Sequence, residues 1–415
     1  MIYFSRTAGV VLWVLSLLLI LLTSPLYVLG ENPTVSDQTS VPLDSVKKLG
    51  EYVLPFYFAA DQLLATIEKE SEDQLIMFFN EPDTYSPHNV EMLITSTDGE
   101  LIYQGNPQPE IGFVRPTTAQ SSSGEIFYCG YALHPNTNLK RHDFLVFSIT
   151  PNGVMKDVFR YDVGIRAACI TICSDSTGML LAGIGYSKET DLTNKIEGVL
   201  LRTDSTGQEI WRLYVNVGDW CEIYSAVLLE NGDVLACGYS SDIQQDRSDL
   251  SLFKLDNSGN LLWYKTLYEE GFQYARVAFT DKNGIVLFIT DTDDNTSKAV
   301  TGFRLYDPEG NLKNRTIYTY SDKSVRERYA MAKPAPNGNY YLLVNVIEPD
   351  NTYFILREIS PEGKVLWARR YLEGFNTIGA NLCIEGENEI YLITTIQECN
   401  SEEQPRLALL SLSRK

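Results

Sequence analysis

The sequence predicts an all-β fold, a seven-bladed β-propeller of four-stranded antiparallel blades closed by an N-terminal strand. Three observations carry this. Turn glycines recur at Gly99, Gly153, Gly207, Gly259, Gly310 and Gly363, spaced 54, 54, 52, 51 and 53 residues apart. A second series, Gly124, Gly178, Gly232, Gly284 and Gly338, is spaced 54, 54, 52 and 54. Each period contains four short apolar runs bounded by Gly, Asp or Asn, with no sustained helical periodicity. Two independent series with one period of about 50 residues describe a four-stranded unit repeated around an axis.

The stretch Leu255-Asp256-Asn257-Ser258-Gly259-Asn260-Leu261-Leu262-Trp263 shows the local logic. The Asp256 carboxylate suits a turn because it can accept from N–H groups two residues on. Gly259 supplies the left-handed backbone. Trp263 lies on the returning strand, where a large ring can pack against a neighbouring sheet. Trp211 and Trp367 hold the same place and Tyr103 substitutes for them, whereas Asp157 and Asn314 break the series.

In chain order, Met1–Gly30 has Arg6 as its only charge and an apolar run at Val10–Leu22. It reads as a signal peptide, with an uncleaved membrane anchor as the alternative. Either way the expectation is an exported, extracytoplasmic chain. Glu31–Gly50 is polar and reads as a linker. Residues 51–415 read as the propeller, with inner strand pairs starting near Asp73, Gly124, Gly178, Gly232, Gly284, Gly338 and Asn388. The last unit has only three strands before the chain ends. The spare apolar stretch Tyr52–Phe58 is therefore expected to supply its outer strand, since an open ring would leave exposed edges. Pro55 is tolerable on such an outermost strand.

The net charge of −20 disfavours nucleic acid and anionic membranes as partners. Its plainer meaning is solubility. Membrane contact is expected only through residues 1–30, if they are retained. The seven cysteines show no pairing signature and read as buried free thiols. His88, His134 and His142 are the only histidines and are expected in solvated loops, thin support for a triad or a zinc site. Asp291–Asn295 resembles the opening of a calcium loop, but Thr296 and Gly302 stand where Gly and Glu are needed. The reading thus implies no metal and no cofactor.

Units such as Phe253–Trp263 resemble the repeats of exported bacterial propellers of the quinoprotein-like superfamily, over about residues 50–413. The resemblance implies the fold and export, and many members are interaction modules. Quinone-dependent dehydrogenases have a longer Asp-x-x-Thr-Gly turn than Asp204-Ser205-Thr206-Gly207. Sialidase-type boxes place Trp three residues after Gly rather than four.

Short turns should line one face of the ring and longer loops the other: Tyr131–His142, Tyr186–Lys195, Tyr239–Ser248 and Asp291–Lys298. Irregular loops on a rigid scaffold are where binding concentrates. About twelve residues before the five landmark glycines and Asn388 come Phe113, Arg166, Trp220, Phe272, Arg326 and Phe375, expected to ring the mouth of the central channel. The plainer reading makes the aromatics plugs between blades. The sharper one makes them a ligand site of aromatic platforms and two arginines. The function expected is non-catalytic binding of a peptide, protein or saccharide, or scaffolding. The alternative is a saccharide-acting enzyme using carboxylates at the channel mouth. An anchored sensor or assembly factor follows if residues 1–30 stay. Oligomeric state is left open.

Overall fold

The computed structural model describes residues 43–53, 64–71, 73–80, 90–105, 111–120, 125–134, 141–150, 154–165, 167–185, 196–242, 247–267, 274–281, 284–292, 299–320, 324–386, 389–399 and 405–414. All lie within one compact unit, Pro33–Lys415. They form seven four-stranded antiparallel sheets. Six are built from consecutive strands, beginning at Leu64, Ile111, Ala168, Trp220, Tyr274 and Arg326 for blades 1 to 6. Within each, the first strand in sequence lies innermost and the fourth outermost. The innermost strands of neighbouring blades contact one another around the axis.

Blade 7 closes the ring. Phe375–Glu385, Glu389–Glu398 and Arg406–Arg414 supply three strands, and Leu43–Val53 pairs antiparallel with Arg406–Arg414 as the fourth. The expectation of N-terminal closure holds, but its residues shift. The closing strand starts at Leu43, inside the stretch read as linker, and shares only Tyr52 and Val53 with the expected Tyr52–Phe58. Pro55 lies outside the described residues. The register runs from Leu43 opposite Arg414 to Val53 opposite Arg406. An eleven-residue strand matches its nine-residue partner along its whole length. The apolar run chosen from sequence reaches only two residues of that edge.

The core consists of seven wedges, each between two adjacent blades. Between blades 1 and 2 it contains Ile76, Phe78, Tyr128 and Phe147; between blades 4 and 5, Leu235, Cys237, Leu252 and Leu287. Each sheet is therefore buried on both faces, which is why its middle strands read as unbroken apolar runs such as Tyr340–Val344. The wedges are tied across blades by the turns. Trp211 of blade 3 lies on Gly259 of blade 4, Trp263 of blade 4 on Gly310 of blade 5, and Phe159 of blade 2 on Gly207 of blade 3. Phe159 supplies the ring that Asp157 does not. Where Asn314 replaces the ring, its Nδ2 donates to the Glu362 carbonyl of blade 6 at 2.6 Å. Tyr161 and Tyr318 add hydroxyl bonds to the carbonyls of Gly207 and Gly363, at 2.8 and 3.1 Å.

Polar side chains also enter the core. Arg357 is fully buried between blades 5 and 6, with Nη1 and Nη2 donating to the two Glu327 oxygens at 3.0 and 2.6 Å. Its Nη2 also donates to the Tyr320 hydroxyl at 2.7 Å, and Tyr318 presents its ring 5.4 Å away. All seven cysteines are free. Five are buried and Cys173 is partly so, but Cys399 is exposed, which corrects the expectation that every thiol is interior. His142 begins a strand rather than lying in a loop, and His134 Nδ1 lies 2.9 Å from the carboxylate of the buried Asp143. His88 lies outside the described residues.

Candidate functional site

The two faces of the ring differ as their turns require. The first-to-second and third-to-fourth strand connections of each blade meet at one face. They include the tight turns at Asp204, Asp256 and Asp307. In the Asp256 turn the carboxylate accepts from the N–H groups of Ser258 and Asn260, both at 2.9 Å, and from the Asn260 amide. The Asn260 bonds, side chain then backbone, hold this carboxyl below its ordinary 3.8. The innermost strands begin at the opposite, loop-rich face. The central parts of the four long loops, residues 135–140, 186–195, 243–246 and 293–298, lie outside the described residues.

Of the six residues expected at the channel mouth, Trp220, Arg326 and Phe375 each begin an innermost strand at that face, in blades 4, 6 and 7. Phe113 is the third residue of its innermost strand, Ile111–Gln120. Arg166 and Phe272 lie outside the described residues. Arg326 is exposed, and Trp220 and Phe375 are half-buried. The Trp220 indole N–H donates to Glu222 Oε1 at 2.7 Å, so its single hydrogen-bond donor is already used within its own strand. Below it, Tyr224 stacks on Tyr239 at 5.7 Å.

A cleft of about 330 Å³ lies between blades 6 and 7 at this face. Its walls are Ile347–Thr352 from blade 6 and Asn376, Ile378, Thr395, Gln397 and Pro405 from blade 7. Arg326 is the register partner of the lining residue Ile347, and Phe375 precedes the lining residue Asn376, but neither itself lines the cleft. Trp220, two blades away, does not line it. At this cleft the blade 6 hairpin is short. Glu348 pairs with Asn351 across only Pro349 and Asp350, where other blades carry long loops. Pro and Asp suit that tight turn.

Bonds across the blade boundary fix the walls. The Thr352 N–H donates to Asn376 Oδ1 at 3.2 Å, and the Phe354 N–H to Thr377 Oγ1 at 3.2 Å. Deeper, the Asn345 amide donates to the Gly379 carbonyl at 2.9 Å and accepts its N–H at 2.8 Å, as a paired strand would. Glu348 Oε1 accepts from the Tyr353 hydroxyl at 2.8 Å, and the Tyr353 ring is covered by the Arg370 guanidinium at 3.9 Å. Asn351 Oδ1 is buried and receives no hydrogen bond among the described residues. The cleft lining thus includes two carboxylate residues, Glu348 and Asp350, with apolar Ile347, Ile378, Pro349 and Pro405 beside them. A ligand offering hydroxyl or ammonium donors on a partly apolar frame suits it. Sequence reading missed the cleft because its walls come from residues about 25 to 60 apart, with no shared motif.

No group of three metal-donor side chains converges among the described residues. Asp291 and Thr292, the described part of the calcium-like stretch, end a strand.

No family model matches the chain, and no match is found among curated proteins. Solved propellers are similar in part. A protein of unknown function from Dyadobacter fermentans has a TM-score of 0.47 at 13% identity, covering 89% of this chain and all of its own. The β-propeller domain of the Trilobed protease from Pyrococcus furiosus has a TM-score of 0.48 at 8% identity, covering 85% of this chain and 96% of that one. Pyrococcus horikoshii acylaminoacyl peptidase has a TM-score of 0.47 at 12% identity, and the match covers 84% of this chain and 51% of the peptidase. The seven-bladed assignment rests on the strand topology itself.

Proposed function

We propose that this chain is an exported binding propeller, and that its ligand rests on the loop-rich face in the cleft between blades 6 and 7. The observation that carries this reading is the cleft of about 330 Å³ whose lining includes the carboxylate residues Glu348 and Asp350 beside apolar Ile347, Ile378 and Pro405. Ionised carboxylates only accept hydrogen bonds, so a ligand that offers donors suits them. Hydroxyls of a saccharide or the amino groups of a peptide supply such donors. Arg326 at the rim adds one exposed cation in a chain of net charge −20, placed to meet a carboxylate on the same ligand. The resemblance of the repeats to exported propellers of the quinoprotein-like superfamily supports the extracytoplasmic setting, as does the apolar Val10–Leu22.

Screening residues 31–415 against glycan and peptide arrays tests the proposal. The expected result is a retained ligand whose affinity falls about tenfold in Asp350→Ala, the loss of one charged hydrogen bond. Arg326→Ala is expected to weaken a carboxylate-bearing ligand by about 1–3 kcal/mol while sparing the melting temperature. A retained ligand whose affinity neither change alters, or one that is hydrolysed on the array, would overturn the reading.

A further inference from the structure

The net charge of −20 hides a local surplus of cations. Leu261–Leu267 and Leu312–Tyr318, the outermost strands of blades 4 and 5, contain Lys265, Lys313 and Arg315 and no acidic residue. Direct contacts bring these side chains to one groove between the two blades. Trp263 of blade 4 lies on Gly310 of blade 5, so this face of its strand is turned toward blade 5. Lys265, two residues on, shares the face. Its Nζ donates to Asn311 Oδ1 of blade 5 at 2.9 Å and stands 5.6 Å from the Trp263 ring. Lys254 is the register partner of Trp263 and joins them. From the other side, Asn314 is turned toward blade 6, where its amide reaches the Glu362 carbonyl. Lys313 and Arg315 flank it in the strand, so both are turned toward blade 4, and both are exposed. The buried Arg304 is the register partner of Arg315 and lies on the same face.

The carboxylate that Lys313 influences, Asp307, is engaged by its own turn. It accepts from the N–H groups of Glu309 and Asn311 at 3.1 and 2.7 Å, and from the Asn311 amide at 3.0 Å. Other outermost strands use their cations within the protein. Lys156 of blade 2 pairs with Glu125 at 2.6 Å, Arg212 of blade 3 with Glu209 at 2.5 Å, and Arg370 of blade 6 covers the Tyr353 ring at 3.9 Å.

Leu312–Tyr318 ends its sheet and pairs only with Ala299–Tyr306 among the described residues, which leaves its outward main-chain groups open to a further strand. An extended chain laid along that edge places alternate side chains beside Lys313 and Arg315, about 7 Å apart along the strand. Acidic residues at alternate positions of the incoming chain have the same spacing. Opposite charges directly across a strand pair are favourable and like charges are not. Charged edges ordinarily keep other strands off. This edge repels a basic strand and attracts an acidic one.

We propose that the outer edge of blade 5 binds an acidic peptide segment as an added strand, with Asp or Glu at alternate positions over Lys313 and Arg315 and with Lys265 at the turn end of the groove. Main-chain pairing supplies the affinity and the alternate carboxylates supply the selection.

The full chain, titrated into a fluorescent peptide of alternating Glu and Val and followed by anisotropy, tests this. The expected result is binding that weakens as salt rises. Methylating the peptide nitrogens should lower the affinity several-fold, because strand pairing needs their N–H groups. Lys313→Glu with Arg315→Glu should do the same without lowering the melting temperature. Lys313→Gln with Arg315→Gln should give a smaller loss, and decides the question if the first pair proves unstable. Lys364→Glu with Arg369→Glu makes an equal change of charge at the edge of blade 6 and should leave the affinity near that of the wild type. Equal losses in the two reversed pairs, full retention of the methylated peptide, or no binding to the wild type would overturn the proposal. So would binding of heparin in place of the peptide, since the groove would then serve a sulfated polysaccharide. Asp350→Ala, which tests the cleft between blades 6 and 7, should leave all these readouts unchanged.

Discussion

The indole of Trp211 in blade 3 lies directly on Gly259 in the turn of blade 4, and its N–H donates to the Asn257 carbonyl of that turn at 3.1 Å. A Cβ on Gly259 would stand 2.6 Å from Trp211 Cδ2, and φ there is +83°. The two recurring features of the sequence, turn glycine and following ring, are thus halves of one joint between successive blades. Gly259→Ala should cost about 1–3 kcal/mol from the clash, beyond the backbone strain. Gly338→Ala is the control, because its φ is +84° but nothing lies within 4 Å of an added Cβ. Equal loss in the two variants, by denaturant titration, would refute the joint.

The buried Glu327–Arg357 pair should be fragile to single substitution. Arg357→Met leaves a buried carboxylate without its partner and should cost about 3–5 kcal/mol. Glu327→Leu combined with Arg357→Met should recover a large part of that loss, since two desolvated charges disappear together. A double variant as unstable as the worse single one would show that the pair's geometry, not its charge balance, holds blades 5 and 6.

Acid should weaken the turns in a defined window. The Asp256 carboxyl is depressed by the Asn260 amide and backbone N–H, and Asp307 by the corresponding Asn311 bonds. A depressed folded value means these bonds contribute fully above the unfolded 3.8 and are lost as pH falls through the lower folded value. Asp256→Asn should melt below the wild type at pH 6, and the gap should shrink below pH 4. A gap independent of pH between 6 and 2 would contradict the assignment.

One thiol should react in the native protein. Cys399 is exposed, whereas burial pushes the Cys173 and Cys221 thiols up to about 12 and Cys237 higher still. Thiol titration should count one fast group in buffer and seven in denaturant. Two or more fast groups, or fewer than seven after denaturation, would count against this arrangement.

Ring closure sets two deletions apart. Removing residues 1–42 leaves the Leu43–Val53 strand in place and should leave the melting temperature unchanged. Removing residues 1–53 bares the edge of Arg406–Arg414 and should produce early melting and aggregation by light scattering. Equal behaviour of the two proteins would remove the closing strand from the account.

The sequence by itself determined the period, the blade count and the turns, because each depends on residues a few positions apart. Asp256 bonds Ser258 and Asn260, and Gly259 takes a conformation set by its own missing side chain. Four short runs per period followed from the same local punctuation. The tertiary structure alone decided what meets across blades. Closure by Leu43 rather than Tyr52 depends on the length of an edge more than 350 residues away, and no local propensity encodes that pairing. Arg357 looks like an ordinary strand cation until Glu327 and Tyr320 enclose it. Asn351 looks like any turn residue until the strand beginning at Phe375 closes the other wall of the cleft. Solvation and partnership belong to surfaces that exist only once the ring is shut, so burial, and with it the candidate site, could be read only there.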